Sequence, residues 1–204
     1  MDWRIAEIAL IKKATVALGL TPEMRKAMRR YAVPALYAVW EGFVTTIFSE
    51  YARRINHKRI PFEKANINIA QHDCFDKVHM LTPPTCLEQR NNAVGKLRKL
   101  LKGKLVLSET VRTNSNVDYA ELTKILARYG VEPLDKVQYE DELRDLLAKR
   151  NCIAHGNHGI EIEAAQLEQY ASLVDRLMND ICEKLSDGLK QKVYLKNALC
   201  DYQS

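Results

Sequence analysis

The stretch LLAKRNCIAHGNHG, residues 146–159, gathers the densest set of chemistry-bearing side chains in the 204-residue chain. Lys149, Arg150, Asn151, His155, Asn157 and His158 fall there, beside Gly156 and Gly159. An imidazole titrates near neutral pH and can take or give a proton. A guanidinium stays charged and grips phosphate oxygens through a rigid fork of donors. Asn151 adds hydrogen bonding without charge. An Arg followed five residues later by His is weak evidence alone: with 14 Arg and 5 His, chance supplies roughly 0.3 such pairs in a chain of this length. A plainer reading also fits, with Lys149 and Arg150 in a solvated last turn and His155 as an ordinary helix cap.

Helix geometry constrains the chemistry further. At about 100° per residue, Asn151 and His155 stack on one face, whereas Arg150 and His155 diverge by roughly 140°. One regular helix does not aim Arg150 and His155 at the same atom. Either the backbone distorts at Gly156, or a symmetry mate brings a second copy of the motif to the same cleft.

Charge points to an anionic partner. Residues 1–104 hold 19 Lys/Arg against 9 Asp/Glu, while residues 105–204 hold 12 against 17. A basic half fits nucleic acid, although two oppositely charged halves could also neutralise each other. Lys99 and Lys102 in GKLRKLLKGK (residues 95–104), together with Arg29, Arg30, Arg53, Arg54, Lys58 and Arg59, offer phosphate contacts or solvated helix faces. Five cysteines, an odd and widely spaced set, fit a reducing cytoplasm better than a disulfide framework. Cys152, His155 and His158, and the looser group His72, Cys74, His79 and Cys86, lack the tight pairs of a zinc site. No metal and no cofactor is expected, and Cys152 reads as a small buried residue. No phosphate-cradling glycine loop or nucleophile-elbow GxSxG appears. The N-terminus lacks the features of a secretory signal, and no run approaches the roughly 18 consecutive apolar residues of a spanning helix.

The elements that must position these residues read as helices almost throughout. Ile5, Ile8, Ile11 and Val16 mark an N-terminal helix. Thr21-Pro22 starts the next, whose stripe of Tyr37, Trp40, Val44, Ile47 and Tyr51 is interrupted upstream by Pro34, where a kink or break is expected. Residues 57–90 hold no sustained period and read as a long connection with short helical pieces. Helices follow over 86–102 and 118–129, then from near Glu140 to Gly156. The last long helix carries Leu167, Tyr170, Val174, Leu177 and Ile181, a seam suited to a bundle core or dimer. Lys104–Val111 could be a short strand, with Ile160–Ile162 as its only candidate partner. The architecture expected is all-α, one helical domain over residues 1–204.

Three ordered segments resemble a known superfamily. RNCIAHG (residues 150–156) is similar to the R-N-x-x-x-H signature of HEPN-domain ribonucleases. ALYAVWEGFV (residues 35–44) and TNSNVDYAELTKILARYGV (residues 113–131) resemble segments of its RiboL-PSP/MAE-type branch. The resemblance implies a HEPN-like helical bundle that dimerises and cleaves RNA without metal, as bacterial toxins or phage-defence effectors of this kind do. It implies Arg150, Asn151 and His155 as the catalytic motif, with RNA, a homodimer and an antitoxin or defence-system protein as partners. Lys149, Asn157, His158, Arg53, Arg54, Lys99 and Lys102 are candidates to bind RNA, and Glu41 to orient Arg150. Some HEPN toxins carry Tyr two residues after the His as a target for inactivating nucleotide transfer. Asn157 stands there instead, which puts that control in doubt. A non-catalytic nucleotide-binding or adaptor subunit, or a purely structural partner subunit, is the alternative.

Overall fold

The computed structural model describes residues 2–78, 86–113 and 116–196. Among the described residues, α-helices run in the order α1 (Asp2–Ala14), α2 (Pro22–His57), α3 (Ile67–Val78), α4 (Leu87–Leu101), α5 (Tyr119–Arg128), α6 (Lys136–Ala154) and α7 (Ala164–Gln191), with a 3-10 turn at Phe62–Lys64. Among the described residues there is no strand, only isolated bridges pairing Pro61 with Lys104 and Ala65 with Leu195. The all-α class is as expected.

Helix α2 starts where its sequence says. Thr21 Oγ1 accepts from the Met24 amide at 3.2 Å, and Pro22 fills the first helical position, where no amide partner is needed. Pro34 does not break the chain into two helices: α2 is continuous for 36 residues. Its neighbours Val33, Leu36 and Tyr37 are buried, and their packing offsets the one helical hydrogen bond that a proline removes. Asp135 caps α6 by accepting from Val137 at 2.9 Å, so that helix opens a turn earlier than Glu140.

The connection after α2 holds helical pieces as expected, the 3-10 turn at Phe62–Lys64 and the 12-residue α3, where Ile69 and Ala70 are buried; His79 and the prolines at 83 and 84 lie outside the described residues. The Lys104–Val111 stretch finds no strand partner at Ile160–Ile162. Its start pairs with the backbone at 60–61, where the Leu105 amide donates to the Ile60 carbonyl at 2.9 Å, and Leu107 pairs with a side chain: Asn56 Nδ2 donates to the Leu107 carbonyl at 3.0 Å, and Asn56 Oδ1 accepts from the Leu107 amide at 2.8 Å. An amide group thereby satisfies both backbone groups of Leu107, as a neighbouring strand would.

The chain divides into two compact units. The first comprises Met1–Ile47, Arg112–Thr123 and Pro133–Glu183; the second comprises Phe48–Val111, Lys124–Glu132 and Lys184–Ser204. In the first, Trp40 is fully buried and its indole N–H donates to the Val117 carbonyl at 3.1 Å. Helices α6 and α7 clasp each other reciprocally. Tyr139 of α6 donates to Asp180 of α7 at 2.5 Å, and Tyr170 of α7 donates to Asp145 of α6 at 2.5 Å. In the second unit, Phe48 stacks on Tyr129 and Tyr51 meets its edge, with ring centroids 5.3 and 5.7 Å apart. Gly188 lets α7 pass close by, since a Cβ there would sit 2.9 Å from Tyr51 Oη.

A stretch of α2 has a mean hydropathy of 1.2, so that by length and composition it is able to cross a membrane. Half of that stretch is buried inside the protein, around Tyr37, Trp40 and Phe43, so core packing accounts for its apolarity.

Burial raises the phenols of Tyr51, Tyr129, Tyr139 and Tyr170, that of Tyr129 to about 12 from an ordinary 10. A raised folded value means that the native state holds these protons more tightly than the unfolded chain does. The associated stability is therefore complete below pH 10 and is lost as pH rises toward 12 and beyond. Denaturant midpoints measured across that range should fall steeply and track tyrosinate absorbance. A midpoint independent of pH there would contradict the burial of these rings.

Candidate active site

Helix α6 carries the motif on two faces. Leu143 and Leu147 are buried, and Arg150 continues their row one turn on, at half-buried depth. Its guanidinium lies over the ring of Tyr37, 4.5 Å from the centroid. That ring is 1% exposed, and its hydroxyl accepts from the Val117 amide at 2.8 Å. Burial, then the nearby Glu41, hold the Tyr37 phenol above its ordinary value, with Arg150 acting in the opposite sense. The phenol stays neutral, and the cation rests on a π-face that cannot move.

The fork then turns toward the second face. Arg150 Nη1 donates to Asn151 Oδ1 at 2.7 Å. Asn151 sits one turn below His155, whose backbone amide donates to the Asn151 carbonyl at 3.0 Å. Asn151 thus holds one arm of the Arg150 fork on the helix face that also carries His155. Oδ1 is thereby occupied by a charge-assisted bond.

His155 is the C-cap that follows Ala154, with φ −82° and ψ 9°, and it is exposed. Gly156 follows at φ +81°. Its amide donates to the Ile153 carbonyl at 3.0 Å, and the Asn157 amide donates to the Cys152 carbonyl at 3.1 Å. These are the paired bonds of a Schellman stop, which needs a left-handed residue where glycine stands. An added Cβ at Gly156 would meet nothing within 4 Å. Gly156→Ala is therefore expected to cost only backbone strain, about 1–2 kcal/mol in chemical denaturation. A neutral substitution would show that the stop does not hold the His155 turn.

Past the stop, the loop is pinned by the opening turns of α2. Arg30 Nη1 donates to the His158 carbonyl at 3.1 Å, Arg29 Nε donates to the Ile162 carbonyl at 2.7 Å, and Lys26 pairs with Glu161 at 3.1 Å. Arg29 and Arg30 thus hold the protein's own backbone. Asn157 is exposed and caps its own loop, its Oδ1 accepting from the Gly159 amide at 3.0 Å. The His158 ring is exposed and Lys149 half-buried.

Three expectations change. Glu41 does not pair with Arg150: its Oε1 accepts from Thr113 Oγ1 at 2.7 Å, so it holds Thr113 and does not orient the guanidinium directly. Arg53 and Arg54 are not free cations: Arg53 is paired with Glu50 at 2.9 Å and Glu109 at 3.2 Å, and Arg54 with Glu50 at 3.0 Å, all exposed pairs of small energy. Cys152 is exposed, because Ile153 takes the inward position of that turn. Lys99 and Lys102 are exposed in the second unit, whereas Lys149 to His158 and Glu41 belong to the first. Among the described residues no group of three or more His, Cys, Asp or Glu is placed to hold a metal. The decisive residue missed by spacing was Tyr37. Its signal was the row Arg30, Pro34, Tyr37 and Glu41, whose spacings of 4, 3 and 4 put one helix face toward α6.

Compared with known families, residues 1–187 match RiboL-PSP-HEPN. The chain belongs to the RiboL-PSP-HEPN family. No curated protein and no solved structure matches it. Membership covers the whole of the first unit and supports a role in RNA cleavage or nucleotide binding. In this RiboL-PSP-HEPN chain the R-N-x-x-x-H string spans the end of α6, with its Arg on a rigid ring and its His at a glycine stop.

Proposed function

We propose that this RiboL-PSP-HEPN protein is a metal-independent endoribonuclease that acts as a homodimer and serves as a bacterial toxin or phage-defence effector in the cytoplasm. The observation that carries this reading is the Arg150 fork, fixed between the Tyr37 ring and Asn151, on the same helix end as an exposed His155. In the reaction the ribose 2′-oxygen attacks phosphorus and the bond from phosphorus to the 5′-oxygen breaks. One His155 takes the 2′-hydroxyl proton, and the partner subunit's His155 gives a proton to the leaving 5′-oxygen. Arg150 binds the phosphate oxygens and balances their charge, and Asn151 Nδ2 supplies a neutral donor. The products are a 2′,3′-cyclic phosphate and a free 5′-hydroxyl, and a strand lacking 2′-hydroxyls is inert.

One observation favours a second reading. Among the described residues no side chain hydrogen-bonds the His155 ring to orient it, which suits a nucleotide-binding module without turnover. The test is incubation of labelled RNA and the matching DNA with purified protein in EDTA, alongside a light-scattering mass. Cleavage of RNA alone to cyclic-phosphate ends by a dimer is expected. Nucleotide binding without turnover supports the second reading. Growth arrest on expression, with an antitoxin or defence-system protein as the restraint, tests the biological role.

A further inference from the structure

Helix α4 buries none of its 15 residues. Leu87, Val94, Leu97 and Leu101 are 73%, 50%, 39% and 47% exposed. With Arg90 they occupy positions 87, 90, 94, 97 and 101, spaced 3, 4, 3 and 4. That is the a/d seam of a two-helix pairing, and it is narrower than the face a globular core asks of a helix. Leu100 and Ala93, on the neighbouring row, are only half-exposed.

Charge decides what covers the seam. Arg90 stands within it, Arg98 borders it, and Lys96, Lys99 and Lys102 extend the positive field; the one acid of the helix is Glu88. A second copy would set Arg90 and Arg98 against the same charges, which opposes self-pairing. A bilayer surface is a poorer match, because the strip has no aromatic residue and is broken by Arg90 in its middle. We propose that α4 is a docking seam for an acidic amphipathic helix of a partner protein, with a carboxylate opposite Arg90. The aliphatic residues supply the contact area, and the guanidinium selects the partner, since an arginine buried in a seam without an acid is costly. The proposal is independent of RNA cleavage: Lys99 lies roughly 160° around the helix from the seam's centre and stays open to phosphate.

The full-length protein can be titrated with two labelled designed helical peptides of about three heptads. They share Leu at a and d and differ only in flanking Glu or Lys. The Glu-flanked peptide should bind at least ~10-fold tighter. Val94→Asp with Leu101→Asp should weaken it ~10-fold or more while leaving the circular dichroism unchanged, because both side chains are exposed. Arg90→Glu with Arg98→Glu should reverse the order of the two peptides. Equal affinity for both peptides, binding of neither, binding to phosphatidylserine vesicles in their place, or self-association abolished by Leu101→Asp would each overturn the proposal.

Discussion

His155→Ala is expected to lower the rate of RNA cleavage by about 10²–10⁴-fold, the range that positioned proton transfer contributes. The loss should fall on kcat and not on protein stability. His155 is exposed, its helical role is carried by backbone groups, and alanine retains those. Arg150→Ala should cost a comparable factor through lost phosphorane stabilisation. Arg150→Lys should recover little, because an ammonium cannot both lie flat on the Tyr37 ring and donate through a fork to Asn151 and phosphate. Asn151→Ala should fall between. It leaves the charge on Tyr37 but removes the acceptor that holds Arg150 Nη1. Rates measured with protein freed of trace nuclease, at matched thermal midpoints, check the series. Equal cleavage by wild type and by the His155 and Arg150 variants would assign the activity to a contaminant and end the nuclease reading.

The contrast among these variants rests on features unequally visible in the sequence. The Tyr37–Trp40–Val44 row of α2 was legible because the helical period alone places those side chains inward, and Trp40 and Val44 are fully buried. The stop at Gly156 was legible because the left-handed residue of a Schellman turn is written as glycine. The Arg150–Tyr37 contact was not. It needs α2 and α6 side by side, and nothing local to either distinguishes a core tyrosine from one that also carries a cation. The same holds for Arg29 and Arg30, which read as phosphate contacts or a solvated helix face and instead donate to carbonyls of the loop beyond α6. A cation seeking an acceptor is satisfied equally by phosphate or by a loop backbone, and the choice is made by tertiary structure. Asn56 is the sharpest instance. Its amide stands in for a strand beside Leu107, and no pattern of apolar spacing encodes a partner that is a single side chain.

Tyr37 is where core and chemistry meet, and two substitutions should separate its roles. Tyr37→Phe keeps the ring beneath Arg150 but leaves the buried Val117 amide without its acceptor. It should cost about 1–3 kcal/mol of stability, with cleavage by the folded protein close to wild type. Tyr37→Ala removes the ring, opens a cavity in the first unit and should cost about 3–5 kcal/mol. Below its lowered midpoint the Ala variant should also lose ~10²-fold in kcat, because the guanidinium then has only Asn151 to hold it and a displacement near 1 Å is enough for such a loss. Denaturant titrations and single-turnover rates at a temperature where both variants are folded read the two effects apart. The ordering is what matters. If Tyr37→Phe reduced kcat as far as Tyr37→Ala, the hydroxyl and the 113–117 segment it anchors would be the part that positions Arg150. If neither changed kcat, the stacked guanidinium would be a packing feature of α6 and not the group that binds phosphate.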